Sequence, residues 1–388
     1  MMFFYNRHNI TKTDIDYVKK SLKSNNITKG EFLNKFENQL CKTFKSKYSL
    51  VTCNATSSFY IISKVLNWNK NSSIIISPLT FVAGANSIAA SGEKPIFVDI
   101  QNKDQNLDPV MVEKKIQSLI KKKKKIDAII VTDYGGTPAN WKMFFNLKKK
   151  YNTILINDNC HAIGSKYFND RGYATKYADI VIQSYHPVKN ITSGEGGSIL
   201  TNNKKIYLES KILREHGFRS INLNNYWERE VLKPGFNARL SELNCALGYS
   251  QLKRLNKIVR DRRRLAKLYD NYFSNHKYIT INKLGPKIFS SYHLYILRIN
   301  FEKLNIDKSK FHKILKEKYK IMLQVHYVPT YRLRLFQNQL NKENYKIKYP
   351  ETEKYYSDAF SIPLYIKLSK KNITYICQAI DKVIDTFK

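Results

Sequence analysis

Cysteine is scarce: five occur in 388 residues, scattered at Cys41, Cys53, Cys160, Cys245 and Cys377, with no C-x-x-C spacing. An odd, dispersed set excludes a disulfide framework and the usual structural zinc site, and it fits thiols kept reduced in the cytoplasm. The eight histidines show no H-E-x-x-H or similar ligand pattern, so no metal is expected. Long apolar runs are missing as well. No window approaches the length needed to span a bilayer, and Met1-Met-Phe-Phe-Tyr runs straight into Asn-Arg-His, which is no secretory signal. The expectation is a cytoplasmic chain with no membrane partner.

Acidic residues are few, 31 against 67 lysines and arginines, for a net charge of +36. A nucleic-acid surface would gather that excess into one stripe interleaved with aromatics. Here the lysines are spread over the whole chain, which is also rich in Asn, Ile and Tyr. The longest run, Lys121 to Lys125, follows an amphipathic stretch and precedes a strand pattern, where cations suit a solvated helix end and the helix dipole. The charge reads as compositional bias, and no nucleic-acid partner is expected. Anionic small substrates would still gain from the positive field.

An apolar fraction of 43% over 388 residues supports a full-sized core and room for two domains. Two amphipathic helices are expected between residues 11 and 44, broken near 25–30, the first opening on cap residues at Thr11-Lys-Thr-Asp. Strands are then expected at 48–52, 73–76, 96–100, 126–132 and 153–157, alternating with helices at 56–66, 81–90, 108–122 and 140–150. Several of these strands are continuous apolar runs, as in a mostly parallel sheet with helices on both faces. Residues 178–200 add an apolar strand, a turn carrying Lys189, and a Thr192-Ser-Gly-Glu-Gly-Gly run into another strand. Beyond residue 200 the pattern predicts a helix at 206–215, a loop through Trp227-Glu-Arg and Pro234-Gly-Phe-Asn, and one long helix at 240–273. Strands at 291–299 and 324–327 and helices at 309–318 and 370–387 follow. We expect an α/β domain over residues 1–250 and a smaller α+β domain over 251–388.

Parallel sheets bind ligands beyond the carboxyl ends of their strands. Four turns there hold residues unsuited to a purely structural role. Cys53-Asn-Ala-Thr-Ser-Ser opens a helix with small residues, leaving amides free for a phosphate at Ala55 and Thr56, although a simple cap by Thr56 or Ser57 is the plainer reading. Ser77-Pro-Leu-Thr-Phe puts Phe81 where it could stack on a planar ring or fill the core. Asp158 ends an apolar strand and His161 follows; a carboxylate at that depth needs a cation or a proton. The last turn carries Ser184, His186 and Lys189, and a lysine between two buried strands is an uncommon placement. Together these are what pyridoxal phosphate requires: a carboxylate to keep the pyridine nitrogen protonated, a lysine for the Schiff base, an aromatic plate and a phosphate cradle.

The series Pro78-Leu-Thr-Phe, Gly92-Glu-Lys-Pro-Ile-Phe-Val-Asp, Tyr134-Gly-Gly-Thr-Pro, Asp158-Asn-Cys-His-Ala, Ser184-Tyr-His-Pro-Val-Lys and Thr192-Ser-Gly-Glu-Gly-Gly resembles the DegT-like nucleotide-sugar aminotransferases nearly end to end. Arg214-Glu-His-Gly, Gly235-Phe-Asn-Ala-Arg-Leu-Ser-Glu and Gln324-Val-His-Tyr-Val-Pro continue it. The resemblance implies a fold-type I aminotransferase in which Lys189 forms the Schiff base, Asp158 pairs with the pyridinium, His161 lies near the phenolic oxygen and Phe81 covers the ring. Ala55, Thr56 and Ser184 would hold the phosphate, with Asn237 reaching in from the partner subunit of a homodimer. Glu195, His326 and Tyr327 lie in family signatures and are candidate substrate contacts; turn geometry for Glu195 and a packed imidazole for His326 are equally open. Family members with histidine at the lysine position are sugar dehydratases, so Lys189 favours transamination. Ala55 stands where many members have glycine, and Asn157 where an acidic residue is frequent. Ile10-Thr-Lys-Thr-Asp-Ile and Asn54-Ala-Thr-Ser-Ser resemble most the members serving pseudaminic acid biosynthesis, which implies a UDP-linked 4-keto-6-deoxy-N-acetylhexose as substrate and an amino-acid donor, L-glutamate by analogy. Other nucleotide-linked ketosugars, and a cofactor-binding regulator without turnover, are the alternatives.

Overall fold

Apolar runs such as Ile74-Ile-Ile have two faces to bury, and the sheet they build is covered on both sides. In the computed structural model, which describes residues 2–221, 225, 227–337 and 342–387, seven strands lie in the spatial order Tyr48–Thr52, Gly197–Thr201, Ile180–Ser184, Ile154–Asp158, Ala128–Thr132, Ile74–Ile76, Ile96–Phe97. Only Gly197–Thr201 runs against its neighbours, pairing antiparallel with both Tyr48–Thr52 and Ile180–Ser184; the other pairings are parallel. The expected mostly parallel α/β sheet is therefore present. The carboxyl ends of the remaining six strands gather on one edge, together with the amino end of the reversed strand.

Successive residues of a strand point to opposite faces. On one face Val51, Ile75, Ile129, Val131, Leu155, Val181 and Leu200 pack with Phe36, Ile116 and Phe144 from the helices Glu31–Phe44, Pro109–Lys121 and Trp141–Tyr151. On the other, Leu50, Ile74, Ile130, Ile156, Ile182 and Ile199 pack with Phe59 and Ile62 of Ala55–Val65 and Leu213 of Lys204–Arg214. A third cluster joins the helices Leu255–Phe273, Lys308–Tyr319 and Lys370–Asp385 to a smaller antiparallel sheet of Ile279–Ile281, Tyr295–Ile299 and Ala359–Ile362.

Several expected elements are shorter or divided. The helix expected from Phe81 starts at Ala83, because residues 77–82 form a turn whose Pro78 carbonyl accepts both the amide and the hydroxyl of Thr330, at 2.9 and 3.0 Å. The single helix expected over 240–273 is two, Glu242–Lys253 and Leu255–Phe273. Its apolar periodicity continues across the break, but Arg254 adopts φ −96°, ψ 3° and spends its guanidinium on Asp14 at 2.5 Å and the Asn9 carbonyl at 3.2 Å. The strand expected at 96–100 is confined to Ile96–Phe97, and that at 291–299 to Tyr295–Ile299. At 324–327 only Gln324 bridges the small sheet, opposite Ser361; the His326 carbonyl, which a ladder would need, accepts the Tyr134 hydroxyl instead. The loop expected after residue 215 contains a hairpin of Phe218–Ser220 with Arg229–Val231.

Candidate active site

The carboxyl edge of the sheet opens into a cavity of about 490 Å³ whose walls include Ala55, Thr56, Phe81, Asp158, His161, Ser184, Lys189, Glu195, His326 and Tyr327. Ten of the eleven residues proposed from sequence thus meet in one space. Asn237 does not line it. That side chain is exposed, next to Ala238, whose carbonyl accepts the Cys53 amide at 2.9 Å.

The turn between Ile180–Ser184 and Gly197–Thr201 is pinned at many points. The Lys189 amide donates to the His186 carbonyl at 2.8 Å, and Asn190 donates to the carbonyls of Ile163 and Ser291 at 3.1 and 3.4 Å. Thr192 donates to the Tyr185 carbonyl at 2.9 Å, and Asn6 donates to that of Val188. Asn6 in turn accepts from buried Arg262 at 3.3 Å. Lys189 is half-buried, its remaining exposure lying in the cavity it lines. Burial lowers its pKa, while Cys160 and Asp158 act in the opposite sense. An amine so placed is neutral, and nucleophilic, over a wider pH range than a surface lysine.

Asp158, the last residue of its strand and 7% exposed, pairs in register with Thr132 and Ile182. Its carboxylate accepts the Cys160 amide at 3.1 Å and the Thr132 and Thr80 hydroxyls at 3.3 and 3.5 Å. These hydroxyls orient the group without neutralising it, so the cation that the sequence demanded of a carboxylate at this depth must come from Lys189 or a ligand. His161 accepts the Gly135 amide at Nδ1, 3.4 Å away, which leaves Nε2–H to face the Tyr327 hydroxyl at 2.9 Å. Burial, with Lys189 second, lowers its pKa well below the usual imidazole range. His326 bonds Ser361 at 2.9 Å through Nδ1, and burial pushes its pKa down to about 3. Both rings are neutral at physiological pH. Gly136, at φ +99°, lets this wall close, since a Cβ there would sit 2.8 Å from the His293 amide nitrogen.

The first turn of the helix Ala55–Val65 reaches the cavity because of Gly197. It pairs with both Ser184 and Thr52, and a Cβ on it would stand 2.5 Å from the Ala55 nitrogen. Its bare backbone lets the amino end of Ala55–Val65 come up beside Ser184. Asn54 caps that helix by accepting the Ser57 amide at 2.8 Å, so the amides of Ala55 and Thr56 are the orphan donors of the first turn. The plainer sequence reading, a cap by Thr56 or Ser57, is thereby replaced. Phe81 is 55% exposed at the cavity wall, 6.0 Å from the Tyr327 ring, and is not a core residue. Glu195 is exposed at the mouth, 3.9 Å from His186.

Sequence reasoning missed Tyr5 and Cys160, which also line the cavity, and the support beneath it. Asp133 accepts from the Ala139 amide, Trp141, Asn157, Asn159 and Tyr173 at 2.7–3.0 Å, and Asn159 accepts from Gln183 at 3.1 Å. Asn157 therefore ties strands together on the face away from the cavity. A carboxylate directly after the apolar run 126–132 was the available signal for Asp133. Among the described residues no group of three metal-ligating side chains is found, and no helix is long and apolar enough to cross a membrane.

An aldehyde-bearing, phosphorylated pyridine fits this donor set: an amine in the turn after one strand, a carboxylate at the end of the neighbouring strand, and an exposed ring and orphan amides lining the same cavity. The chain matches the DegT/DnrJ/EryC1/StrS aminotransferase family over residues 8–381. The UDP-4-amino-4,6-dideoxy-N-acetyl-beta-L-altrosamine transaminase of Campylobacter jejuni is 34% identical to it, over 100% of this chain and 99% of that one. The Helicobacter pylori transaminase of the same name is 32% identical, with the same coverage. Among solved structures, Helicobacter pylori PseC, an aminotransferase involved in the biosynthesis of pseudoaminic acid, superposes with a TM-score of 0.89 at 30% identity over 100% of both chains. A Streptococcus pneumoniae protein described as a sugar aminotransferase, in its PMP form, gives 0.87 at 25% identity, again over 100% of both.

Proposed function

Because the chain belongs to the DegT/DnrJ/EryC1/StrS aminotransferase family, and is a pyridoxal-phosphate-dependent nucleotide-sugar aminotransferase, we propose that the Lys189 cavity is its active site. We further propose that it moves an amino group from an amino acid, L-glutamate by family analogy, to the C4 keto group of a UDP-linked 4-keto-6-deoxy-N-acetylhexose. The observation that carries the site is that Lys189, in the turn after one strand, and Asp158, at the end of its neighbour, share one cavity with an exposed aromatic ring and the amino end of a helix. The full-length likeness to the Campylobacter and Helicobacter transaminases supports the substrate class.

Pyridoxal phosphate, when bound, supplies an aldehyde and a protonated ring that accepts the electron pair released at the donor's Cα. The amides of Ala55 and Thr56 and the Ser184 hydroxyl would hold its phosphate, Phe81 would cover the ring, and Asp158 would keep the ring nitrogen charged. Lys189 would hold the aldehyde carbon, and its neutral amine would take a proton from the donor's Cα and return one at the sugar's C4. His161, neutral and bonded to Tyr327, donates through Nε2 instead of competing for that proton. Glu195, His326 and Tyr327 line the same cavity and are the proposed sugar contacts. Asn237, exposed and outside its own cavity, completes the partner's site in a homodimer. Dispersed free cysteines suit a reducing cytoplasm for this work.

Mass spectrometry of the purified protein with pyridoxal phosphate, glutamate and a panel of UDP-, dTDP- and GDP-linked ketosugars tests the reading. Amination of the UDP-linked 4-keto N-acetyl sugar ahead of the others is the expected result. Preferential amination of a dTDP- or GDP-linked or 3-keto sugar would overturn the substrate, and retention of turnover by Lys189→Ala would overturn the site.

A further inference from the structure

A second hollow, of about 710 Å³, opens between the helix Lys308–Tyr319, Arg332 and residues 346–360. In a chain with 67 basic residues, exposed lysines around a hollow carry little weight by themselves. Lys308 is of another kind. It is half-buried, donates to the Tyr356 carbonyl, and lies 4.8 and 5.3 Å from the ring centres of Phe360 and Tyr356. Burial pushes its pKa down to about 8, with Asp358 opposing the shift from beyond ion-pair distance. One turn further on, His312 also lines the hollow, and its buried Nε2 has no hydrogen-bond partner.

The rim adds Lys346 and Lys354. Arg332 is there too, but Glu353 is committed to it and to the Tyr331 hydroxyl. The wall thus holds four cations and one carboxylate already in use. A cation would be repelled, and an apolar guest would find the aromatic faces already covered by ammonium groups. Asp307 takes the Ser309 and Lys310 amides at 2.7 and 3.1 Å, so side chains, not a helix end, make the site. The volume exceeds that of a lone inorganic ion and suits a small metabolite.

We propose that this hollow binds a phosphate-bearing small anion, with Lys308 gripping phosphoryl oxygens at the base and Lys346 and Lys354 at the rim. Val325 lines this hollow, whereas Gln324 and His326 line the catalytic cavity. The two spaces stand back to back across one backbone segment, and the ligand here is separate from the sugar being aminated.

Titration calorimetry of the pyridoxal-phosphate-loaded enzyme with inorganic pyrophosphate, at constant ionic strength, tests this. Saturable binding is expected, weakened about ten-fold in Lys308→Gln, clearly weakened in Lys354→Gln, and unchanged in His186→Ala of the catalytic cavity. Lys354 is exposed, so that variant stays folded even if the buried substitution does not. Tighter binding of ADP than of pyrophosphate would identify a nucleotide as the source and weaker binding a free phosphorylated metabolite; either supports the site. Equal binding by wild type and both lysine variants, loss confined to His186→Ala, or heat no greater than from added chloride would each overturn it.

Discussion

Burial lowers the pKa of Lys189, which favours the neutral amine that its proposed nucleophilic role needs. Lys189→Ala should reduce amino transfer by about 10²–10⁴-fold and abolish the visible absorbance of the bound cofactor, while thermal unfolding changes little. Asp158→Asn removes the charge but keeps the shape; kcat should fall by about a hundred-fold with cofactor still bound. The imidazoles behave differently. The pKa values of His161 and His326 are both depressed, so their nitrogen NMR signals should remain those of neutral rings from pH 8 to pH 5. The folded state resists a proton that the unfolded chain accepts below about pH 6.5. Relative to His326→Gln, the wild type should therefore lose stability as pH falls from about 6.5 toward 3. The slope should approach about 1.4 kcal/mol per pH unit, measured by denaturant unfolding of both proteins.

Elements set where these residues meet. Gly197→Ala would place a Cβ against the backbone of Asn54 and Ala55, so about 1–3 kcal/mol of stability should be lost, together with cofactor affinity, as seen by equilibrium dialysis against Lys189→Ala as control. Glu242 caps a different helix: its carboxylate takes the amides of Gly30, Phe32 and Leu33 at the start of Glu31–Phe44, whose cap residue offers no side chain. Glu242→Ala should cost about 0.5–2 kcal/mol in thermal unfolding without altering the cofactor spectrum. What was legible in the sequence follows the same logic. Asp158 and Lys189 could be found because each interrupts an apolar strand pattern, and the parallel sheet because its runs are apolar throughout. Tyr5 could not, since its place in the cavity depends on a chain end meeting residues far away. The break at Arg254 and the late start of the helix after Phe81 were hidden for a related reason: both are set by partners, Asp14 and Thr330, that local periodicity does not report.

At the scale of the whole molecule the excess of 36 positive charges is a field as well as a bias. A nucleotide diphosphate approaching the cavity is attracted from every side, so KM for the nucleotide sugar should rise with salt while kcat holds steady, as screening shortens the reach of surface charge to about 8 Å at physiological ionic strength. The one reversed strand, Gly197–Thr201, has a further effect in time. It pairs with Tyr48–Thr52, so Thr52 and Gly197 must find each other across more than a third of the chain before Ala55 and Ser184 can stand side by side in the cavity. Contacts of such sequence separation form slowly. The cavity is therefore incomplete until this pairing has formed, and uptake of pyridoxal phosphate during refolding serves as its clock.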